Sequence, residues 1–142
     1  MQACPLCTED NNVIAFRDRL LRVALIEESD LPGFVRVIVN AHVREMTDLD
    51  PASRTRVMEA VLAVEQVQRE VFAPHKINLA SLGNAVPHVH WHVVPRFTDD
   101  AFYPQSIWSQ RQRETPANVL AARRARVPEF QKRLVEAFAR LQ

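Results

Sequence analysis

The stretch NAVPHVHWHVVPRF, residues 84–97, carries histidines at 88, 90 and 92. The whole chain of 142 residues has five, so most of its imidazole is gathered in one short run. Alternate residues of a strand project to the same side. An extended backbone here presents His88, His90 and His92 as a row, about 6–7 Å between neighbours. Val89, Trp91 and Val93 then fall on the opposite face, toward a core. Three adjacent imidazoles repel one another when charged, so near pH 7 most are expected to be neutral. Neutral imidazole is a nucleophile, a general base or a metal ligand. From the residues alone two chemistries compete. The row holds a zinc ion with water in an open position, or one ring attacks phosphorus while its neighbours orient it and protonate the leaving group. Gly33 and Gly83 are the only glycines, and Gly83 lies five residues before the row. Glycine allows close backbone approach and exposes N–H groups to phosphate, or simply serves a turn. Asn84 adds an amide, and Arg96 a fixed cation just past the run. Together they suit an anionic substrate.

A second constellation is CPLC, Cys4 to Cys7, which has the spacing of a zinc knuckle. A redox pair would sit at a helix start after a strand, and that context is absent. The basic run RRAR at 123–126 reads as a solvated helix face. His75 follows Pro74 at a helix end and reads as surface.

The elements that must position these groups follow from periodicity. A chain of this length suits a single domain. VIAFR at 13–17 and LLRVALI at 20–26 read as a hairpin, and GFVRVIVN at 33–40 as a third, central strand, Val35, Val37 and Val39 alternating with Phe34, Arg36 and Ile38. Asp50 as N-cap and Pro51 at the first helical position open a long helix. Val57, Val61, Val64 and Val71, with Met58 and Leu62, form its apolar stripe, and Pro74 stops it near residue 73. INLASL and HVHWHVVP read as strands four and five, with Pro87 at the first position of the latter. Residues 96–115 are loop-like yet rich in aromatics, Trp108 among them, and are expected to pack on something. Helices follow from Thr115–Pro116, interrupted at Pro128, with Phe130, Leu134, Phe138 and Leu141 as the last stripe. A formal net charge of +1 gives no overall field toward nucleic acid or membrane. No apolar run reaches a bilayer-spanning length, and MQACPLCTED lacks the basic and apolar regions of a signal peptide. A cytoplasmic location with reduced cysteines is the expectation.

At HVHWHVV, followed by PR, the chain resembles the histidine triad (HIT) superfamily, whose signature alternates three histidines with apolar residues. PGFVRVIVNAH resembles that family's third strand and its exit. The resemblance covers most of residues 1–96 in element order. It implies an α+β fold, a five-stranded antiparallel sheet with one long helix and C-terminal helices. Residues 1–142 form one such domain, with a helical extension from about 97 to 142. It implies a homodimer joined sheet edge to sheet edge and hydrolysis or nucleotidyl transfer at the α-phosphorus of adenosine nucleotides. By position His90 is the nucleophile, His92 contacts the scissile phosphate and assists the leaving group, and His88 orients the row. Asn84, the backbone around Gly83 and His92 hold phosphate, and Glu27 or Glu28 stands where ribose is recognised. No organic cofactor is implied. Two departures stand out. Phe34 occupies a position that is histidine in many members, and GNAV replaces a Gly-Gln-Ser stretch, so Asn84 and Ala85 stand for the glutamine and serine.

Some bacterial members hold structural zinc with an N-terminal cysteine pair, the first triad histidine and a histidine nine residues after the strand-three glycine. Carried over, that set is Cys4, Cys7, His42 and His88. The alternatives are a bare reduced cysteine pair, a zinc-stabilised nucleotide-binding protein with little turnover, and catalytic zinc held by the triad itself.

Overall fold

The computed structural model describes residues 3–8 and 12–141. After a single helical turn, α1 (Pro5–Thr8), strands β1 (Val13–Arg17), β2 (Leu21–Leu25) and β3 (Val35–Val39) form a meander. The long α2 (Pro51–Phe72) crosses to β4 (Lys76–Ala80) and β5 (His90–Arg96), and α3 (Ala117–Arg124) and α4 (Val127–Arg140) close the chain. The sheet has five strands in the order β1-β2-β3-β5-β4, and every neighbouring pair is antiparallel. The α+β architecture read from the sequence is therefore the observed one.

Local chemistry explains the boundaries. The Asp18 carboxylate accepts from the backbone N–H of Leu20 and Leu21, each at 2.8 Å, which closes the β1–β2 turn. Asp50 caps α2 through the Ser53 N–H at 2.9 Å, with Pro51 in the first turn. Ala73 ends that helix in the left-handed region, and Pro74 forbids continuation. Pro128 sits in the first turn of α4, where its missing N–H costs nothing, so the chain breaks between α3 and α4.

One sheet face is sealed by α2 and α4. Val23, Val35, Val37 and Val93 meet Val57, Val61 and Val64 of α2 and Phe130, Leu134 and Phe138 of α4. Leu62 and Leu141, counted into these stripes from periodicity, are exposed instead. Gln68, fully buried on α2, donates one amide to the carbonyls of Gly33 (2.9 Å) and Val93 (2.8 Å), tying the helix to both central strands. The other face carries the histidines. Residues 97–115 are strapped across part of it: Phe102 and Ile107 pack on Leu31, Phe34 and Val94. No helix among the described residues is long and apolar enough to cross a membrane.

Candidate active site and metal cluster

Strand β5 begins at His90, not at His88. Residues 86–88 form a tight turn, the His88 N–H reaching the Val86 carbonyl at 2.8 Å. Pro87 therefore precedes the strand rather than opening it. His90 and His92 keep the expected parity and share the face away from α2, with ring centroids 4.9 Å apart. His88 is turned out of the row. The three imidazoles thus divide into a pair and a single ring.

The pair is held in a defined state. His90 Nδ1 lies 2.6 Å from the His88 carbonyl. A carbonyl only accepts, so Nδ1 carries the hydrogen and a neutral ring offers its Nε2 lone pair. Burial lowers the His90 pKa, and the Arg36 cation adds to the effect. Burial, then His90, then Arg36 push His92 down to about 4. Both rings are neutral at pH 7. His92 Nδ1 is buried without a hydrogen-bond partner among the described residues. Phe34 lies against the His92 ring at 5.8 Å between centroids, and Trp108, still exposed, meets it edge-on at 4.8 Å.

Arg36 went unrecognised as a site residue in the sequence. Pairing registers put Ala24, Arg36, His92 and Ala80 in one row across four strands. The visible signal was a lone charge in a strand otherwise apolar on both faces. The adjacent row sets Ile38 beside His90.

Gly83 lines a cleft of about 220 Å³ together with His90, His88 and Ser81. Gly83 has φ +79, so a turn there requires glycine. Asn84 and Ala85 are exposed beside it. A larger cleft, about 570 Å³, opens at the far end of β2 and β3 between Glu27, Glu28, Pro32, Phe34 and the start of α4. The row of Arg36 and His92 lies between these two ends of the face. Gly33, left open between ligand approach and a turn, has φ +89, and a Cβ there would stand 2.6 Å from the Phe72 ring, so backbone and packing call for glycine. One expectation is corrected. Arg96 does not face a ligand. It is 2% exposed, and its guanidinium is engaged by Asp100 (2.8 and 3.1 Å), Asn78 (2.7 Å) and the Gln105 carbonyl (2.8 Å). It anchors the strap. His75 is a surface residue, its ring edge against Tyr103.

The single ring completes the second constellation. Ligand atoms of Cys4, Cys7, His42 and His88 all lie within 4.8 Å of one another. Cys4 Sγ is 3.4 Å and Cys7 Sγ 3.5 Å from His88 Nδ1, and Cys7 Sγ is 3.3 Å from His42 Nδ1. His88 Nε2–H donates to the Val39 carbonyl at 2.5 Å, which leaves Nδ1 as the free donor pair aimed at the thiols. Metal-ligating histidines are commonly oriented in this way. Two thiols and two imidazoles converging on one point fit a tetrahedral zinc ion. Among the described residues this is the only metal-capable group of three or more such side chains, and His90 and His92 are not in it. Zinc held by the triad itself is thereby overturned.

A family model described as HIT domain matches residues 7–99. The chain is 30% identical over 105 residues to a bis(5'-nucleosyl)-tetraphosphatase (asymmetrical) of Schizosaccharomyces pombe, a match spanning 70% of this chain and 58% of that protein. It therefore spans little more than half the length of that curated relative. A histidine triad protein from Bradyrhizobium japonicum superposes with a TM-score of 0.65 at 25% identity, covering 82% of this chain and 91% of that one. A zinc-bound histidine triad family protein from Mycobacterium smegmatis gives 0.60 at 20% identity, covering 96% and 90%.

Proposed function

The chain belongs to the HIT domain family, and from that premise we propose that it is a nucleotide hydrolase or nucleotidyl transferase acting at the α-phosphorus of adenosine nucleotides, with His90 as nucleophile. The observation that carries this reading is the bond from His90 Nδ1–H to the His88 carbonyl. It leaves Nε2 basic on a buried, neutral ring beside the Gly83 cleft. In the first step Nε2 bonds to phosphorus while the bond to the leaving group breaks. From a dinucleoside polyphosphate the leaving phosphate departs as an anion and needs no proton. The amine leaving from a phosphoramidate takes its proton from solvent water. In the second step water adds to phosphorus, the P–N bond breaks, a proton goes to solvent and His90 is restored. Two displacements replace one harder one. His92, neutral at pH 7, contacts the phosphate as a hydrogen-bond donor. Gly83 lines the cleft beside His90, with exposed Asn84 next to it in the chain, and in this reading its backbone N–H and the Asn84 amide hold phosphate. Glu27 lines the larger cleft, and its assignment to a ribose hydroxyl is part of the proposal.

Cys4, Cys7, His42 and His88 hold structural zinc in this reading, as the donor set and the zinc-bound M. smegmatis relative support. Four protein ligands leave no open position, so such an ion would supply folding energy and no catalysis. A homodimer joined through β4 is part of the proposal. That strand lies at the sheet edge with Leu79 exposed, and sedimentation at micromolar concentration measures the state.

The test is turnover of diadenosine polyphosphates and adenosine phosphoramidate by wild type and His90→Ala, with thermal unfolding as the fold control. The expectation is loss of turnover in a folded variant; equal rates refute the nucleophile. Phe34 and Ala85, which lack the polar groups usual in the family, favour a second reading as a zinc-stabilised nucleotide-binding protein. AMP binding without turnover in wild type selects it.

A further inference from the structure

Most arginines given a polar partner in this fold meet a carboxylate: Arg96 meets Asp100, Arg123 meets Asp99, Arg111 meets Asp30, Arg133 meets Glu70 and Arg56 meets Asp18. Arg36 differs. No carboxylate among the described residues pairs with it, and its Nε is buried without a hydrogen-bond partner. The Phe34 ring lies at cation–π distance, 5.7 Å away. It sits at the middle of the sheet, with buried Ala24 on one side and His92 on the other. Ala80 lies beyond His92. The two small residues leave Arg36 and His92 to occupy the row between them. A half-buried cation with an orphaned donor is expensive unless a counter-charge arrives. Next to it stands a second orphan, His92 Nδ1. No acidic side chain lies in this row or in the next, which holds Arg22, Ile38 and His90.

We propose that Arg36 is a substrate-binding residue, its guanidinium taking the non-bridging oxygens of the phosphate that His90 attacks. This rests on the nucleotide reading above and deepens it. The site recognises charge on that phosphate through a guanidinium fixed in the sheet, between the cleft at Phe34 and the cleft at His90. Arginine suits the role because its donors form a planar fork that matches phosphate oxygens.

The experiment compares AMP with adenosine by calorimetry on wild type, Arg36→Gln and Arg36→Lys. Wild type should prefer AMP, and Arg36→Gln should weaken AMP by about 10–100-fold, the range for a lost charge-assisted bond. Adenosine affinity should stay within twofold, a readout that a merely structural role would not separate. Arg36→Lys should recover part of the AMP affinity and none of the fork geometry. Inorganic phosphate should raise the melting temperature of wild type and of Arg36→Lys, but not of Arg36→Gln. Equal losses for AMP and adenosine, or none for either, overturn the assignment. If wild type binds AMP in this pattern yet turns nothing over, the anion site stands and only the enzymatic reading fails.

Discussion

Replacing Arg96 by methionine tests whether that residue holds the strap or a ligand. Both Arg96 and Asp100 side chains are 2% exposed. The Asp100 carboxylate takes two bonds from Arg96 and three from the backbone N–H groups of Phe97, Phe102 and Tyr103, at 2.8–3.0 Å. Breaking one side of a buried pair costs about 3–5 kcal/mol. The three backbone donors survive in Arg96→Met, so the low end, about 3 kcal/mol, applies. An unfolding entropy of about 2.1 cal/mol/K per residue over 142 residues gives about 0.3 kcal/mol/K, hence a fall in Tm of about 10 °C. Asp100→Asn should also lose stability, and the double variant should lose less than the sum by about 1–3 kcal/mol, because the stranded charge is gone. AMP affinity, measured well below the midpoint, should move together in Arg96→Met and Asp100→Asn if it moves at all, since both act by loosening the strap that carries Trp108. An unshifted Tm in Arg96→Met, with AMP affinity lost there and retained in Asp100→Asn, would mean the guanidinium faces the ligand.

His92 predicts a pH dependence of stability. Its folded pKa of about 4 lies below the ordinary 6.5. Between those values the unfolded chain takes up a proton that the folded ring refuses. The folded state is therefore unpenalised above pH 6.5 and loses up to about 3 kcal/mol as pH falls toward 4. In urea unfolding the difference between wild type and His92→Gln should shrink steadily over that window; parallel curves count against it. Gly33→Ala should cost about 1–3 kcal/mol, because φ is +89 and the new methyl meets the Phe72 ring, whereas Gly83→Ala bears the backbone penalty alone. Calorimetric scans of the two variants rank them, and the reverse order defeats the packing role of Gly33. Zinc at a hundredfold excess over Kd stabilises by about 2.7 kcal/mol, near 9 °C for this chain. Chelation should remove that increment from wild type and leave Cys7→Ser unchanged; no effect on either means no structural metal.

Local signals were legible where local chemistry decides. The Asp50–Pro51 cap, the hairpin and the parity of His90 and His92 are all set within a few residues. The Cys4–Cys7–His42–His88 set came through resemblance, since nothing in its spacing of 35 to 84 residues announces a meeting point. Arg96 was misread, and Gly33 left open, for the same reason. A cation beside a catalytic run and a glycine at a strand start look alike whether their partner is a ligand or Asp100, a ligand or Phe72. Only the tertiary contact decides, and those contacts come from the strap and from α2. Arg36 was visible as a charge in an apolar strand, but its significance lies in a partner it lacks, which no sequence displays.

The departure of His88 from the row changes what the triad is. A strict strand would offer three equivalent rings and leave the middle one to be oriented by ring-to-ring bonds. The Val86–Pro87 turn instead separates two functions of a single residue. The His88 ring turns to the thiols, with Nε2 pinned on the Val39 carbonyl, while its own carbonyl receives the Nδ1 hydrogen of His90. Whatever fixes the ring thus fixes the carbonyl that selects the His90 tautomer. An ion seated on Cys4, Cys7, His42 and His88 would bear on the nucleophile without touching substrate. For that reason metal removal should disturb the orientation of His90 before it disturbs the sheet. The chemical shifts of the His90 ring in labelled protein, followed through a chelator titration, should move while the backbone amides of β3 stay in place.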